Sequence, residues 1–150
     1  MELPERDTLR GVRAKGLAHI GPGHRIAGYV LDECLGEGGF ARVFVARRER
    51  DGLRLAIKLH ANANRTLVRR FQREIGLLAQ LDHPVIPRLV DAGVQPDVLY
   101  LVTELHAARG LDRLMKERRG AWPAAEVVAL ASELAGALAH CHASGIVHRD

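Results

Sequence analysis

Residues 29–60 read YVLDECLGEGGFARVFVARRERDGLRLAIKLH. Apolar residues fall in short alternating runs: Tyr29, Leu31 and Leu35; Val43 and Val45; Leu53, Leu55, Ile57 and Leu59. Each run is bounded by glycine or charge, and a period of two is the pattern of a strand. Asp51-Gly52, between the second and third runs, marks a tight hairpin, because glycine tolerates the positive φ such turns demand. The stretch therefore predicts a three-stranded antiparallel meander.

Downstream the period changes. From Arg65 to Leu81 the apolar positions Leu67, Phe71, Ile75, Leu78 and Leu81 recur at helical steps, predicting an amphipathic helix. His83-Pro84 ends it, since the residue before proline is pushed out of the α region. PRLVDAG and VLYLVTEL then read as two strands joined at Gln95-Pro96-Asp97. A short helix over 111–118, a break at Gly120-Ala121-Trp122-Pro123 and a long helix over 124–143 follow, with Pro123 suited to a first turn. Five strands with one inserted helix, then helices alone, is an α+β order. Residues 1–27 carry mixed charge and glycine without a period, and are expected to form a loosely ordered leader.

Composition narrows the function classes. With 47% hydrophobic residues among 150, the chain is able to bury a core, and 4% aromatics means that core is built from Leu, Val, Ile and Ala. The net charge of +4 comes from interspersed acids and bases, not from a basic stripe with aromatics between, which argues against a nucleic-acid binder. Cys34 and Cys141 are far apart and outside any C-x-x-C pair, which suggests a reducing compartment. The opening residues have no signal-peptide core, and no apolar run approaches the roughly 18 residues of a membrane span. A soluble cytoplasmic chain with no membrane segment is the expectation.

Three features carry chemistry. Leu35-Gly36-Glu37-Gly38-Gly39-Phe40-Ala41-Arg42-Val43 is a glycine-rich turn between strands, which lets backbone N–H groups approach a phosphate. The competing reading is a hairpin that merely needs positive φ. It is neither a P-loop, lacking Gly-Lys-Ser/Thr, nor a Rossmann turn, since a strand follows. Lys58, on the third strand, shares a face with Ala56 and opposes Ile57. An inward lysine needs an anionic partner, although a strand lysine more commonly snorkels to water. Glu74 lies one helical turn from Phe71 and Leu78, at the border of the apolar stripe, where a glutamate is ordinarily a solvated residue.

Together these segments resemble a eukaryotic-like (Hanks-type) bacterial serine/threonine protein kinase. LGEGGFARVFVA is similar to that family's glycine-rich loop, AIK to its V-A-I-K strand, and FQREIGLLAQLDHPVIPRLVD to its αC helix and exit. LYLVTEL resembles the fifth strand entering the hinge, and GIVHRD the start of the catalytic loop. The resemblance implies an N-lobe of a five-stranded antiparallel sheet plus αC over residues 28–106. The first helices of an incomplete, mostly α C-lobe would cover 107–150. It implies ATP as cofactor with Mg2+, and a protein substrate that the sequence does not name. By resemblance, Leu35, Gly36, Glu37, Gly38, Gly39, Phe40, Ala41, Val43 and Ala56 would surround the nucleotide, with Ala41 where the family has its third glycine. Lys58 would hold the α- and β-phosphates and Glu74 would fix Lys58. Thr103 falls at the gatekeeper, and Glu104 and His106 would bond adenine through their backbones. Leu78, Leu89 and His148 align with an apolar spine, and Asp150 with the aspartate that accepts the substrate hydroxyl's proton.

The histidines near the end do not form a metal site by spacing. His140 and His142 are two apart on a helix and point in different directions, whereas chelation needs an i, i+4 pair. They are expected to be helix-end residues, and no metal ligand is assigned. The family's metal-holding asparagine and D-F-G aspartate do not occur among these residues, so the chain is expected to be the front part of such a domain, inactive alone. Two alternatives stand beside this: a non-catalytic kinase-like module that binds nucleotide or a partner, and a small-molecule phosphotransferase, against which V-H-R-D argues.

Overall fold

The computed structural model describes residues 17–38, 41–61, 65–106, 110–118 and 120–147. Two compact units form. The first holds the described residues up to Ala79 with Arg88–Leu105, the second Gln80–Pro87 with the described residues from His106 onward.

The first unit is built on strands β1 (Arg25–Ile26), β2 (Tyr29–Glu37), β3 (Ala41–Arg48), β4 (Arg54–Ala61), β5 (Leu89–Val94) and β6 (Val98–Glu104), with helix α1 (Arg65–Leu78) between β4 and β5. The sheet is antiparallel throughout, in the order β1-β2-β3-β4-β6-β5. The expected five strands are present, and the two-residue β1 adds a sixth. The meander closes as its turn residues dictate: Gly52 takes φ 73°, its N–H donates to Arg48 O at 2.8 Å, and Arg48 N–H donates to Leu53 O at 2.9 Å. Leu53 is 49% exposed in that turn and does not continue the buried run.

Alternation along β4 makes two cores. Leu55, Ile57 and Leu59 point to one face, where they join Leu31, Phe44, Ala46 and Val102. Ala56, Lys58 and His60 point to the other. On that face Phe71 of α1 packs with Leu99 and Leu101 of β6, and Leu67, Val68, Ile75 and Leu78 flank them. The His60 ring meets the Phe71 ring edge-on, with centroids 6.0 Å apart. The predicted helix was drawn to residue 81; α1 ends at Leu78, short of the proline.

Residues 17–26 correct the expected leader. Leu17, Ile20 and Ile26 are at most 7% exposed and belong to the first core, lying over the face that Phe44 and Ile57 present. Backbone bonds fasten this strap to β2: Gly23 N–H donates to Leu31 O at 2.7 Å, and Leu31 N–H donates to His24 O at 2.9 Å. At the far edge the Tyr29 hydroxyl donates to Asp91 Oδ2 at 3.0 Å, tying β2 to β5 and curling the sheet.

The second unit contains α2 (Leu111–Glu117) and α3 (Ala124–Ala143). Pro123 stands at the N-cap of α3, one position before the first turn where the sequence reading placed it. The helix stops by a Schellman motif: Gly145 takes φ 72°, its N–H donates to His142 O, and Ile146 N–H donates to Cys141 O, both at 2.9 Å. His140 does more than close a helix end. Its ring lies 5.3 Å from that of His83, and its Nε2 accepts the Asp82 N–H at 3.4 Å. One expectation is corrected here: α3 spans 20 residues with a mean hydropathy of 1.3 over its most apolar window, long and apolar enough by those measures to cross a membrane. Isolated Glu126 and Glu133 hide this from a search for unbroken apolar runs.

The Tyr29–Asp91 bond yields a measurable expectation. Burial, then the hydrogen bond to Asp91, pushes the Tyr29 phenol from 10.0 up to about 12. A raised folded pKa means that its contribution is complete below pH 10 and disappears as the pH rises toward 12. Tyr29→Phe should cost about 1 kcal/mol in urea unfolding at neutral pH, and the wild-type advantage should vanish across that alkaline window.

Candidate functional site

The glycine-rich segment sits where β2 hands over to β3. Register shifts in β2 between Leu31 and Cys34 and between Cys34 and Gly36 break its regular pairing before the turn. Such bulges re-aim a strand end. Beyond them Gly36 pairs with Val43 and Glu37 with Arg42, and Gly38 N–H donates to Ala41 O at 2.9 Å. Gly36 and Gly38 do not have positive φ. A Cβ at Gly36 would meet nothing within 4 Å, and one at Gly38 only Ala41 O at 3.8 Å. Neither backbone conformation nor packing inside the chain requires glycine there. What glycine leaves is an unobstructed backbone, so the reading as a turn that merely needs positive φ does not hold at these two positions.

Lys58 lies on the β4 face that α1 covers, paired with Val43 on one side and Leu101 on the other. Its Nζ is 3.8 Å from Glu74 Oε1, with 39% and 45% of the two side chains exposed. At that separation the pair is coulombic and not a hydrogen bond, so the ammonium donors remain able to serve a further anion. Two residues along, Ala56 pairs with Thr103 of β6 and with Val45 of β3. Val43, Ala56, Lys58 and Thr103 thus share one face below the glycine turn. Leu35 is 51% exposed at the edge of that turn.

At the end of β6, the Glu104 N–H donates to Arg88 O at 3.0 Å, and the Thr103 hydroxyl donates to Glu104 O at 3.3 Å. Of the two Glu104 backbone groups, the carbonyl keeps a second lone pair for a ligand. His106 lies past β6, exposed, in the second unit. Leu78 and Leu89 meet in the core under α1, beside Leu101. Gly39, Phe40, His148 and Asp150 lie outside the described residues.

Sequence reasoning missed two features near the site. One is the pair of bulges in β2. The other is Arg42, whose side chain turns to the opposite face and grips the strap. By contrast, Arg48 and Asp51, three apart in the hairpin, did carry a local signal. Their hydrogen bonds, with that from Leu53 N–H, pull the Asp51 carboxyl down to about 2.

Comparison with known proteins agrees with this geometry. The family model described as protein kinase domain matches residues 29–150, and the chain belongs to that family. It is 35% identical over 125 residues to a probable serine/threonine-protein kinase of Clostridium perfringens, covering 81% of this chain and 18% of that protein. With the serine/threonine-protein kinase PrkC of Bacillus subtilis it shares 34% over 133 residues, 85% of this chain and 20% of the relative. The solved PknI kinase domain of Mycobacterium tuberculosis superposes with a TM-score of 0.73 at 30% identity, over 87% of this chain and 54% of that one. The chain therefore spans about a fifth of those curated relatives and about half of that solved domain. Helix α3 falls inside the matched stretch, as part of the domain. Kinases of this family use ATP and Mg2+ and act on protein substrates.

A half-exposed ion pair at 3.8 Å contributes little to folding. A double-mutant cycle of Lys58→Met and Glu74→Gln, read by urea unfolding, should give a coupling below about 1 kcal/mol. A coupling of about 2 kcal/mol or more would show that the pair holds the fold together.

Proposed function

We propose that the chain is the nucleotide-binding part of a serine/threonine protein kinase, which transfers the γ-phosphoryl group of ATP to hydroxyls of a protein substrate. The observation that carries this reading is Lys58 beside Glu74, beneath two glycines that the fold itself does not require. The residues suit the cofactor. Gly36 and Gly38 leave backbone open to phosphate oxygens, Lys58 has donors for the α- and β-phosphates, and Glu74 keeps Lys58 from snorkelling away. Val43 and Ala56 offer a flat apolar floor for adenine with Leu35 at its edge, and the Glu104 carbonyl and His106 backbone would bond the ring. Gly39, Phe40 and Ala41 would complete the loop, and Thr103 would limit the depth of the pocket. Bound Mg2+ would neutralise phosphate charge. Asp150, at the aspartate of the H-R-D step, would accept the substrate proton.

The serine/threonine preference rests on the similarity to serine/threonine-protein kinases. The free thiols of Cys34 and Cys141 suit a reducing, cytoplasmic setting. A polypeptide restricted to these 150 residues is proposed to bind nucleotide without transferring phosphate, because the family's asparagine and D-F-G metal ligands are not among them.

By calorimetry the chain should bind ATP weakly. Lys58→Ala should weaken that binding about tenfold, the loss of one charge-assisted hydrogen bond. Equal affinity in wild type and variant would remove Lys58 from the site. Robust phosphate transfer by residues 1–150 alone, dependent on Lys58, would overturn the proposed inactivity.

A further inference from the structure

Arg42 follows the glycine-rich turn but faces away from Lys58: it pairs with Leu59, and the next residue, Val43, pairs with Lys58. Its side chain is 17% exposed and its guanidinium lies over the Phe44 ring, 5.0 Å from the centroid. Nη1 donates to Leu17 O at 3.2 Å and also to Ile20 O. Both are strap residues whose side chains are sunk into the core. Nε lies 3.5 Å from Glu37 Oε2 and, although shielded from water, has no hydrogen-bond partner among the described residues. Glu37 stands between Gly36 and Gly38.

We propose that Arg42 is a positioning residue for the glycine-rich loop, anchored by the strap at Leu17 and Ile20 and acting on the loop through Glu37. The strap carbonyls and the Phe44 ring hold the guanidinium still, so its unfilled Nε–H is a fixed donor. A buried N–H without an acceptor is costly, and the cost is removed when Glu37 closes from 3.5 Å to hydrogen-bonding distance. That movement draws in the two flanking glycines, which have no side chains to resist it. The strap thus steadies the β2 side of the turn, Gly36 to Gly38, from the face opposite to Lys58. This rests on the nucleotide-binding reading given above.

The test is a double-mutant cycle on ATP affinity in the chain, with Arg42→Lys and Glu37→Gln. Lysine keeps a cation for the strap carbonyls and lacks Nε, so the thermal midpoint should stay near wild type. Each single change should raise Kd about fivefold, and the double change no further. Additive effects, or an unchanged Kd in Arg42→Lys, would overturn the proposal. Lys58→Ala is the control for the site itself. If it binds ATP as wild type does, the nucleotide reading fails, and the relay is judged by amide exchange at Gly38, whose N–H bonds Ala41 O. Faster exchange in Arg42→Lys would then support the relay, and equal exchange would sink it.

Discussion

Strand β4 carries a separate core on each face, and its register decides everything above it. Leu55, Ile57 and Leu59 complete the core that the strap covers, while Ala56, Lys58 and His60 meet α1 and the neighbours of β6. Side chains alternate strictly along a strand, so a slip of one residue would drive Lys58 into the cluster around Phe44 and Ile57. An ammonium there, without a partner, would cost several kcal/mol. The two apolar sets therefore hold Lys58 in place more firmly than its own ion pair does.

Glu74 is positioned in the same indirect way. Its pairing with Lys58 spans 3.8 Å between half-exposed groups, a geometry that contributes about 0.2–1 kcal/mol. Burying one aromatic or aliphatic side chain contributes about 1.5–3 kcal/mol, and α1 seats Phe71 fully and Ile75 and Leu78 in part against Leu99 and Leu101. Packing sets the rotation of the helix, and rotation delivers the carboxylate. The ion pair is a result of the fold and is available for chemistry because the fold does not depend on it.

What was legible in the sequence follows from range. The meander, the turn at Gly52 and the helices over 65–78 and 124–143 are written in local periods and turn residues, and so is the opposition of Lys58 to Ile57. The strap was not legible: Leu17, Ile20 and Ile26 follow no period, and their burial depends on a face of the sheet assembled from distant residues. The bond from Tyr29 to Asp91 spans 62 positions, and no local pattern signals it. The Glu104 N–H is taken by Arg88 O, a pairing set by the sheet edge that no local pattern signals.

The glycines separate structural need from chemical need. Gly52 and Gly145 adopt φ 73° and 72°, and a side chain at either would strain a turn or a helix end. Gly36 and Gly38 carry no such constraint: a Cβ would stand in open space at Gly36 and in ordinary contact with Ala41 O, at 3.8 Å, at Gly38. A glycine within a strand costs about 0.5–1 kcal/mol relative to alanine, through the freedom it loses on folding. At 52 and 145 the fold recovers that cost in geometry. At 36 and 38 nothing among the described residues recovers it, and close approach by a phosphate is the benefit that the proposed site supplies. The same bareness means that Gly36 and Gly38 contribute no side-chain packing of their own to the turn. Between them Glu37 faces the clamped Arg42 at 3.5 Å, which makes it the side chain through which the proposed relay reaches the turn.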